Sequence, residues 1–140
     1  MALKALFLNC TLKSSPETSN TEALAGEVLT ALRNEGVDGN MLRMADYDIR
    51  PGVTSDEGQG DQWPPIRAQI LNADILVIAT PTWLGHPSSV TQRVLERMDA
   101  MLAETDEGRE WSIQTGRTMA KNLYEVATAL QRSPLSAPKT

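Results

Sequence analysis

The sequence predicts an α/β protein in which a parallel sheet carries helices on both faces. Three observations point there. Short apolar runs without polar alternation recur, as expected of strands covered on both sides. Each run is followed by a loop and then by an amphipathic segment, giving the order β-α-β-α-β-α. Two of the three amphipathic segments open on a capping box, in which a Ser is followed three residues later by Glu or Gln. Parallel strands joined by right-handed crossovers satisfy that order.

Ala2 to Asn9 is the first strand candidate. Leu3, Ala5, Leu6, Phe7 and Leu8 form its apolar run, with Lys4 near its start. A loop rich in Ser, Thr and Pro covers Cys10 to Ser19. The first helix then opens with Ser19 and Glu22 as its box. Leu24, Val28 and Leu32 are expected to face the core, widened by Ala25, Leu29 and Ala31. Gly36 fits the position just past the helix end, where a positive φ is needed.

Asp38 to Asp46 reads as a second strand through Met41, Leu42 and Met44, interrupted by Arg43. Tyr47 to Gly60 is turn-rich and acidic and is expected to be an exposed, mobile loop. Asp61 is a candidate N-cap, and Pro64-Pro65 suits a first helical turn. Ile66, Ile70 and Leu71 are expected to face the sheet.

Ala73 to Leu102 organises the rest of the chain. Ile75 to Ala79 is its buried strand. Thr80 to Pro87 is a loop with two prolines, one glycine and Trp83. A third helix follows, with Ser89 and Gln92 as its box and Val90, Val94, Met98, Met101 and Leu102 along its apolar side. Beyond Ala103 the strand pattern stops. Glu104 to Gly116 is polar, with Trp111 and Ile113 as its large apolar residues. Arg117 to Gln131 reads as an amphipathic helix, and Ser133 to Thr140 as a frayed tail. The expected organisation is one domain over 1–132 with a flexible tail over 133–140.

Composition sets further bounds. The 140 residues are 41% hydrophobic and 22% charged, which suits one domain. A net charge of −5 leaves no electrostatic footprint for nucleic acid. The single cysteine, Cys10, allows no internal disulfide and fits a reducing cytoplasm. The N-terminal apolar run is too short to cross a membrane and carries no signal-peptide cleavage pattern.

Two loops can carry chemistry, because ligands of open α/β sheets sit at the carboxyl ends of the strands. The loop from Cys10 to Thr21 offers hydroxyls and Lys13 and ends at a helix N-terminus. There, free N–H groups and a partial charge of about half a unit favour an anion. A loop solvated by its own hydroxyls and capped by Ser19 explains the same residues. The loop has neither a Walker lysine-serine pair nor a G-x-G-x-x-G. In the second loop, Pro81, Trp83 and Leu84 offer flat apolar contacts, and the amides near Thr82 and Gly85 offer donors. Trp83 filling a gap between helices is the alternative. His86, the one histidine, has no Cys or carboxylate cluster beside it and reads as a loop residue. No catalytic side chain and no metal ligand is assigned; Cys10 reads as a packed small hydrophobe.

Taken together, Leu6 to Leu24 and Ala73 to Asp99 resemble the flavodoxin-like NAD(P)H-dependent FMN reductases, a group that includes quinone and azo-compound reductases. The resemblance implies a flavodoxin-like three-layer α/β/α fold. It implies that Thr11, Lys13, Ser19, Asn20 and Thr21 bind the FMN phosphate. It implies that Pro81, Thr82, Trp83, Leu84 and Gly85 lie along the isoalloxazine ring. The implied activity is hydride transfer from NAD(P)H through FMN to a small acceptor such as a quinone or a flavin. A flavodoxin-type electron carrier and a shortened non-catalytic relative acting through assembly are the alternatives. The family's sheet has five strands in the order 2-1-3-4-5. The fourth and fifth are not visible here, so the sheet is expected to be truncated to three. Ile75 to Thr80 would then be an edge, and a second subunit is expected to cover it as part of a homo-oligomer.

Overall fold

A computed structural model describes residues 2–103, 113–114, 116–122, 124 and 128. The chain divides into two compact units, Met1–Ala100 and Met101–Thr140. The first holds the sheet. Its elements in order are β1 (Lys4–Asn9), α1 (Asn20–Asn34), β2 (Asp38–Arg43), a 3₁₀ turn at Met44–Asp46, α2 (Trp63–Leu71), β3 (Ile75–Ala79), a hairpin of β4 (Thr82–Trp83) with β5 (His86–Pro87), and α3 (Ser89–Met98). A short helix, α4, spans Ala100–Ala103. The described residues of the second unit include a helical stretch at 116–122, which overlaps the start of the segment expected to be helical from Arg117. The expected tail over 133–140 lies outside the described residues.

The sheet is parallel, with β1 between β2 and β3. Strand β1 is buried from Ala5 onward. The unbroken apolar run of β3, expected to be covered on both faces, is only half-buried along its length. The reason is position: among the described residues β3 has a neighbour on one side only.

The β1–α1–β2 connection moves one way across the sheet and the β2–α2–β3 connection passes back over β1 the other way, so right-handed crossovers put α1 and α2 on opposite faces. Ala5 and Phe7 point toward α1 and pack on Ala25 and Leu29, with Leu32, Met41, Ile75 and Val77 around them. This corrects the expected face of α1: Leu24 and Val28 are exposed and Ala25 and Leu29 are buried. The helix lies close to β2 at Gly39, where a Cβ would run into Leu29 Cδ1. Helix α1 ends as expected: Gly36 has φ +83°, its N–H donates to Arg33 O, and Val37 N–H donates to Leu32 O.

Leu6, Leu8 and Cys10 alternate to the other face. Trp63, Ile66 and Ile70 of α2 are buried there, and so is Val94 of α3. Leu71, expected to face the sheet, is exposed. The buried stripe of α3 is Thr91, Val94 and Arg97. Arg97 Nη1 and Nη2 donate to Asp61 Oδ1 at 3.0 Å and Oδ2 at 2.7 Å, with both side chains fully buried. Its remaining donors reach Arg50 O and Thr54 O, and the guanidinium lies 5.7 Å from the Trp63 ring centre. Arg93 Nη1 donates to Ile49 O at 2.8 Å. The Tyr47–Gly60 segment, expected to be an exposed, mobile loop, is therefore tied to α3 at Ile49, Arg50 and Thr54, and Asp61 just after it is tied as well. Gln62, not Asp61, takes the N-cap position of α2, although Asp61 still accepts from Trp63 N–H.

Candidate functional site

Both candidate loops leave the carboxyl edge of the sheet, from β1 and from β3. Cys10 N–H donates to Ala79 O at 2.7 Å and extends the β1–β3 ladder by one rung. Ser88, 1% exposed, then joins the loops. Its Oγ donates to Cys10 O at 2.6 Å and accepts from Thr91 N–H at 3.1 Å. Ser88 is thus the N-cap of α3, not Ser89 as the box pattern predicts. Thr80 Oγ1 closes the base of the hairpin, accepting from Ser88 N–H at 3.0 Å and donating to Pro81 O at 2.9 Å.

In the first loop, Thr11 is buried and its N–H donates to Asn9 Oδ1. Lys13 Nζ donates to Thr18 O at 3.0 Å and so lies across the loop. Ser19 Oγ accepts from Glu22 N–H at 3.1 Å and caps α1 as expected. Asn20 and Thr21 begin α1, so their N–H groups lack intrahelical acceptors. All five residues expected at the phosphate share this one turn of chain.

Further residues shape the same loop. Asp46 accepts from Ser15 N–H at 2.7 Å and from Ser15 Oγ at 2.6 Å. Those Ser15 bonds pull the Asp46 carboxyl below its ordinary range. Arg43 Nη1 donates to Glu17 O, and Nη2 pairs with the Glu22 carboxylate. Asn9 and Arg43 are register partners across β1 and β2, so their side chains share the α1 face. Asn9 Nδ2 and Arg43 Nε are both buried without a hydrogen-bond partner. Asn9 carried no signal beyond a polar residue at a strand end. Arg43 did carry one, as the cation that broke an apolar run.

This donor set suits an anionic head group. It contains α1's open amides, the Lys13 ammonium and two orphaned buried donors. Of the nearby carboxylates, Glu22 and Asp46 are already bonded to donors.

The second loop is a hairpin, which the sequence did not suggest. Thr82 pairs with Pro87 and Trp83 with His86. Its two turn residues, Leu84 at φ +50° and Gly85 at φ +81°, have the positive φ that a type I′ turn requires. Trp83 is 58% exposed and Leu84 fully so, which removes the gap-filling alternative for Trp83. Pro81, Thr82, Trp83, Leu84 and Gly85 thus stand together on one hairpin arm, with its indole and isobutyl groups exposed. Cys10, at the junction, is fully buried; burial pushes its thiol up against a smaller opposing pull from Thr91, so it stays protonated. Among the described residues there is no His/Cys/Asp/Glu cluster suited to a metal. Nor is any described helix long and apolar enough to cross a membrane.

The chain is 40% identical over 114 residues to the divalent metal cation transporter MntH of Mycobacterium bovis, covering 79% of this chain and 17% of that protein. It is 36% identical over 110 residues to 8-demethyl-8-aminoriboflavin-5′-phosphate synthase of Streptomyces davaonensis, covering 72% of this chain and 43% of the synthase. The crystal structure of RosB with bound intermediate 8-demethyl-8-formylriboflavin-5′-phosphate superposes with a TM-score of 0.64 at 36% identity, over 70% of this chain and 42% of that one. The chain therefore spans less than half the length of each of these relatives. The family model described as NADPH-dependent FMN reductase matches residues 3–120, most of the chain, and the chain belongs to that family.

Proposed function

We propose that this chain forms an FMN-binding oxidoreductase site that draws hydride from NAD(P)H and passes electrons to a small acceptor such as a quinone or a second flavin. The observation that carries the reading is the Ser88–Cys10 junction. It fixes the donor-rich loop and the Trp83 arm side by side at one edge of the sheet, where a phosphate and a flat ring of one molecule can be held together. Bound FMN would supply the hydride chemistry itself. The chain's own work is to hold the phosphate with α1's amides, Lys13, Thr11, Ser19, Asn20 and Thr21, and to shelter one ring face with Trp83 and Leu84. No acid or base residue is assigned, which suits a reaction whose protons and electrons move on the cofactor.

A second reading is supported by RosB, whose crystal structure holds a riboflavin phosphate as a bound intermediate. In it, the same two loops hold a flavin phosphate as the substrate being altered. The third part of the proposal is a homo-oligomer in a cytoplasmic protein. A second copy would cover the side of β3 that has no strand neighbour among the described residues.

Gel filtration after mixing with FMN tests the site: retained flavin supports it, and colourless protein rejects it. Anaerobic bleaching of that colour by NADPH, with the flavin's mass unchanged, selects the reductase reading. A changed flavin mass selects the substrate reading. Thr21→Glu puts a carboxylate at the start of α1, and FMN affinity is expected to fall at least tenfold by charge repulsion. Light scattering at micromolar concentration tests assembly, and a monomer rejects the covered edge.

A further inference from the structure

Arg43 closes β2, and its side chain is spent on the loop that leads into α1. The register pairs it with Asn9 at the end of β1, so both side chains stand on the α1 face. Arg43 is 8% exposed and Asn9 is fully buried. Arg43 Nη1 donates to Glu17 O at 2.8 Å, and Nη2 pairs with the Glu22 carboxylate. Its Nε has no hydrogen-bond partner, and neither has Asn9 Nδ2, whose amide oxygen serves Thr11 N–H. Buried donors are rarely left open in a folded protein. These two belong to side chains bonded to the very loop assigned to the phosphate.

Glu22 is the difficulty in that loop. It is the third residue of α1, in the first turn, where an anionic ligand meets the helix amides. A carboxylate there competes with a phosphate for the same positive end. In a capping box it folds back onto the N–H of the cap residue. Here Ser19 Oγ accepts from Glu22 N–H, but the Glu22 carboxylate is drawn to Arg43, so it does not take the Ser19 N–H. Residues 10–22 otherwise set Glu17 and Glu22 against Lys13 alone. Asp46, bonded to the loop at Ser15, is held chiefly by the Ser15 hydroxyl and N–H, with a smaller pull from Arg43. One buried guanidinium thus answers both Glu22 and Asp46.

We infer that Arg43 is a positioning residue of the phosphate site: it draws Glu22 off the start of α1, cancels its charge, and so sets a preference for a phosphate-bearing flavin over an uncharged one. The inference rests on the flavin reading and adds to it a residue that acts through Glu22 and the loop.

The test is titration of the full chain with FMN and with riboflavin, followed by quenching of flavin fluorescence. Arg43→Gln should weaken FMN at least tenfold and riboflavin by no more than about twofold, because only FMN meets the freed Glu22 charge with a charge of its own. The FMN loss should shrink to about threefold when the screening length falls from ~30 Å in about 0.01 M salt to ~3 Å in about 1 M. Adding Glu22→Gln to Arg43→Gln removes both charges together and should return FMN to within about threefold of wild type. Glu22→Gln alone changes a half-exposed side chain and leaves Arg43 uncancelled, so it should tighten FMN about threefold; this arm decides the matter where Arg43→Gln does not fold. Equal losses of both flavins in Arg43→Gln, no rescue by the second substitution, or no gain in Glu22→Gln would each overturn the inference and leave the flavin site in place. Wild-type protein that binds no FMN overturns the flavin reading and this inference with it.

Discussion

Ser88 gives the sharpest perturbation, because the box pattern in the sequence and the fold nominate different serines. The pattern S-x-x-Q picks Ser89; the geometry picks Ser88, whose buried Oγ serves Thr91 N–H and Cys10 O together. Ser88→Ala removes an N-cap, which costs about 1 kcal/mol. It also leaves the Cys10 carbonyl without that donor in a buried place, which costs about 1–3 kcal/mol more. The total of about 2–4 kcal/mol is a large part of a stability of the usual ~5–15 kcal/mol. For a domain of this size it lowers the thermal midpoint by roughly 6–15 °C. Ser88→Gly separates the parts, since glycine caps within a few tenths of a kcal/mol of serine. It should therefore retain most of the cap contribution and lose only the Cys10 bond. Ser89 is exposed, and Ser89→Ala should stay within about 0.5 kcal/mol.

Differential scanning calorimetry of the three variants decides the matter. If Ser89→Ala costs as much as Ser88→Ala, the junction between the loops is misassigned and the proposed flavin cradle loses its foundation. If Ser88→Gly equals wild type, the Cys10 bond contributes nothing.

Two other perturbations read different parts of the structure. Arg97→Met leaves the Asp61 carboxylate buried and unpaired and should cost about 3–5 kcal/mol, with Asp61→Asn in the same chain restoring part of it by urea titration. Burial by itself raises the Asp61 carboxyl, but Arg97 and the Glu57, Trp63 and Arg50 amides outweigh it and hold the group well below the usual carboxylate range. A lowered folded pKa stabilises above the unfolded value near ~3.9 and is lost as pH falls below it, by up to about 1.4 kcal/mol per pH unit. Asp61→Asn should remove that part of the acid slope in urea midpoints measured from pH 6 to 3; an unchanged slope contradicts the pairing. Leu84→Asn should raise the thermal midpoint by about 4 °C, because a fully exposed leucine at φ +50° carries about 1 kcal/mol of backbone strain and no packing. On the proposed reading it also weakens FMN retention, and a lowered midpoint would contradict the type I′ turn.

The order of elements was legible because apolar runs and capping residues are local signals. Position within the sheet was not legible from the apolar runs alone: it came from the resemblance, whose order 2-1-3 cut to three strands puts β1 in the centre and Ile75–Ala79 at the edge, as among the described residues it is. What the run of Ile75–Ala79 misled on was its burial, which is only half complete. An apolar run reports what covers a strand's faces and says nothing of what lies beside it. The face of α1 was misjudged for a related reason. Leu29 fills the space that Gly39 leaves by having no side chain, and Ala25 lies one turn earlier on the same stripe, so that stripe and not Leu24–Val28 meets the sheet. The hairpin was hidden because Leu-Gly lacks the Asn-Gly signature that marks type I′ turns.

The misreadings at the carboxyl edge share one pattern. Polar residues assigned to the surface or left out are inside: Asn9, Arg43, Ser88 and Arg97 are all at least nine-tenths buried. The large apolar residues of the hairpin, Trp83 and Leu84, are outside. Sequence rules put polar groups in water and apolar groups in the core, so they invert wherever a protein builds a rim for a ligand. There the backbone of several loops must be held still, which takes buried donors. The surface left over must receive an apolar ring, which takes exposed carbon. Exposed apolar residues also occur away from this edge, Leu3 and Leu71 among them, so the buried donors Asn9, Arg43 and Ser88 are what distinguish it and what support the proposed ligand site there.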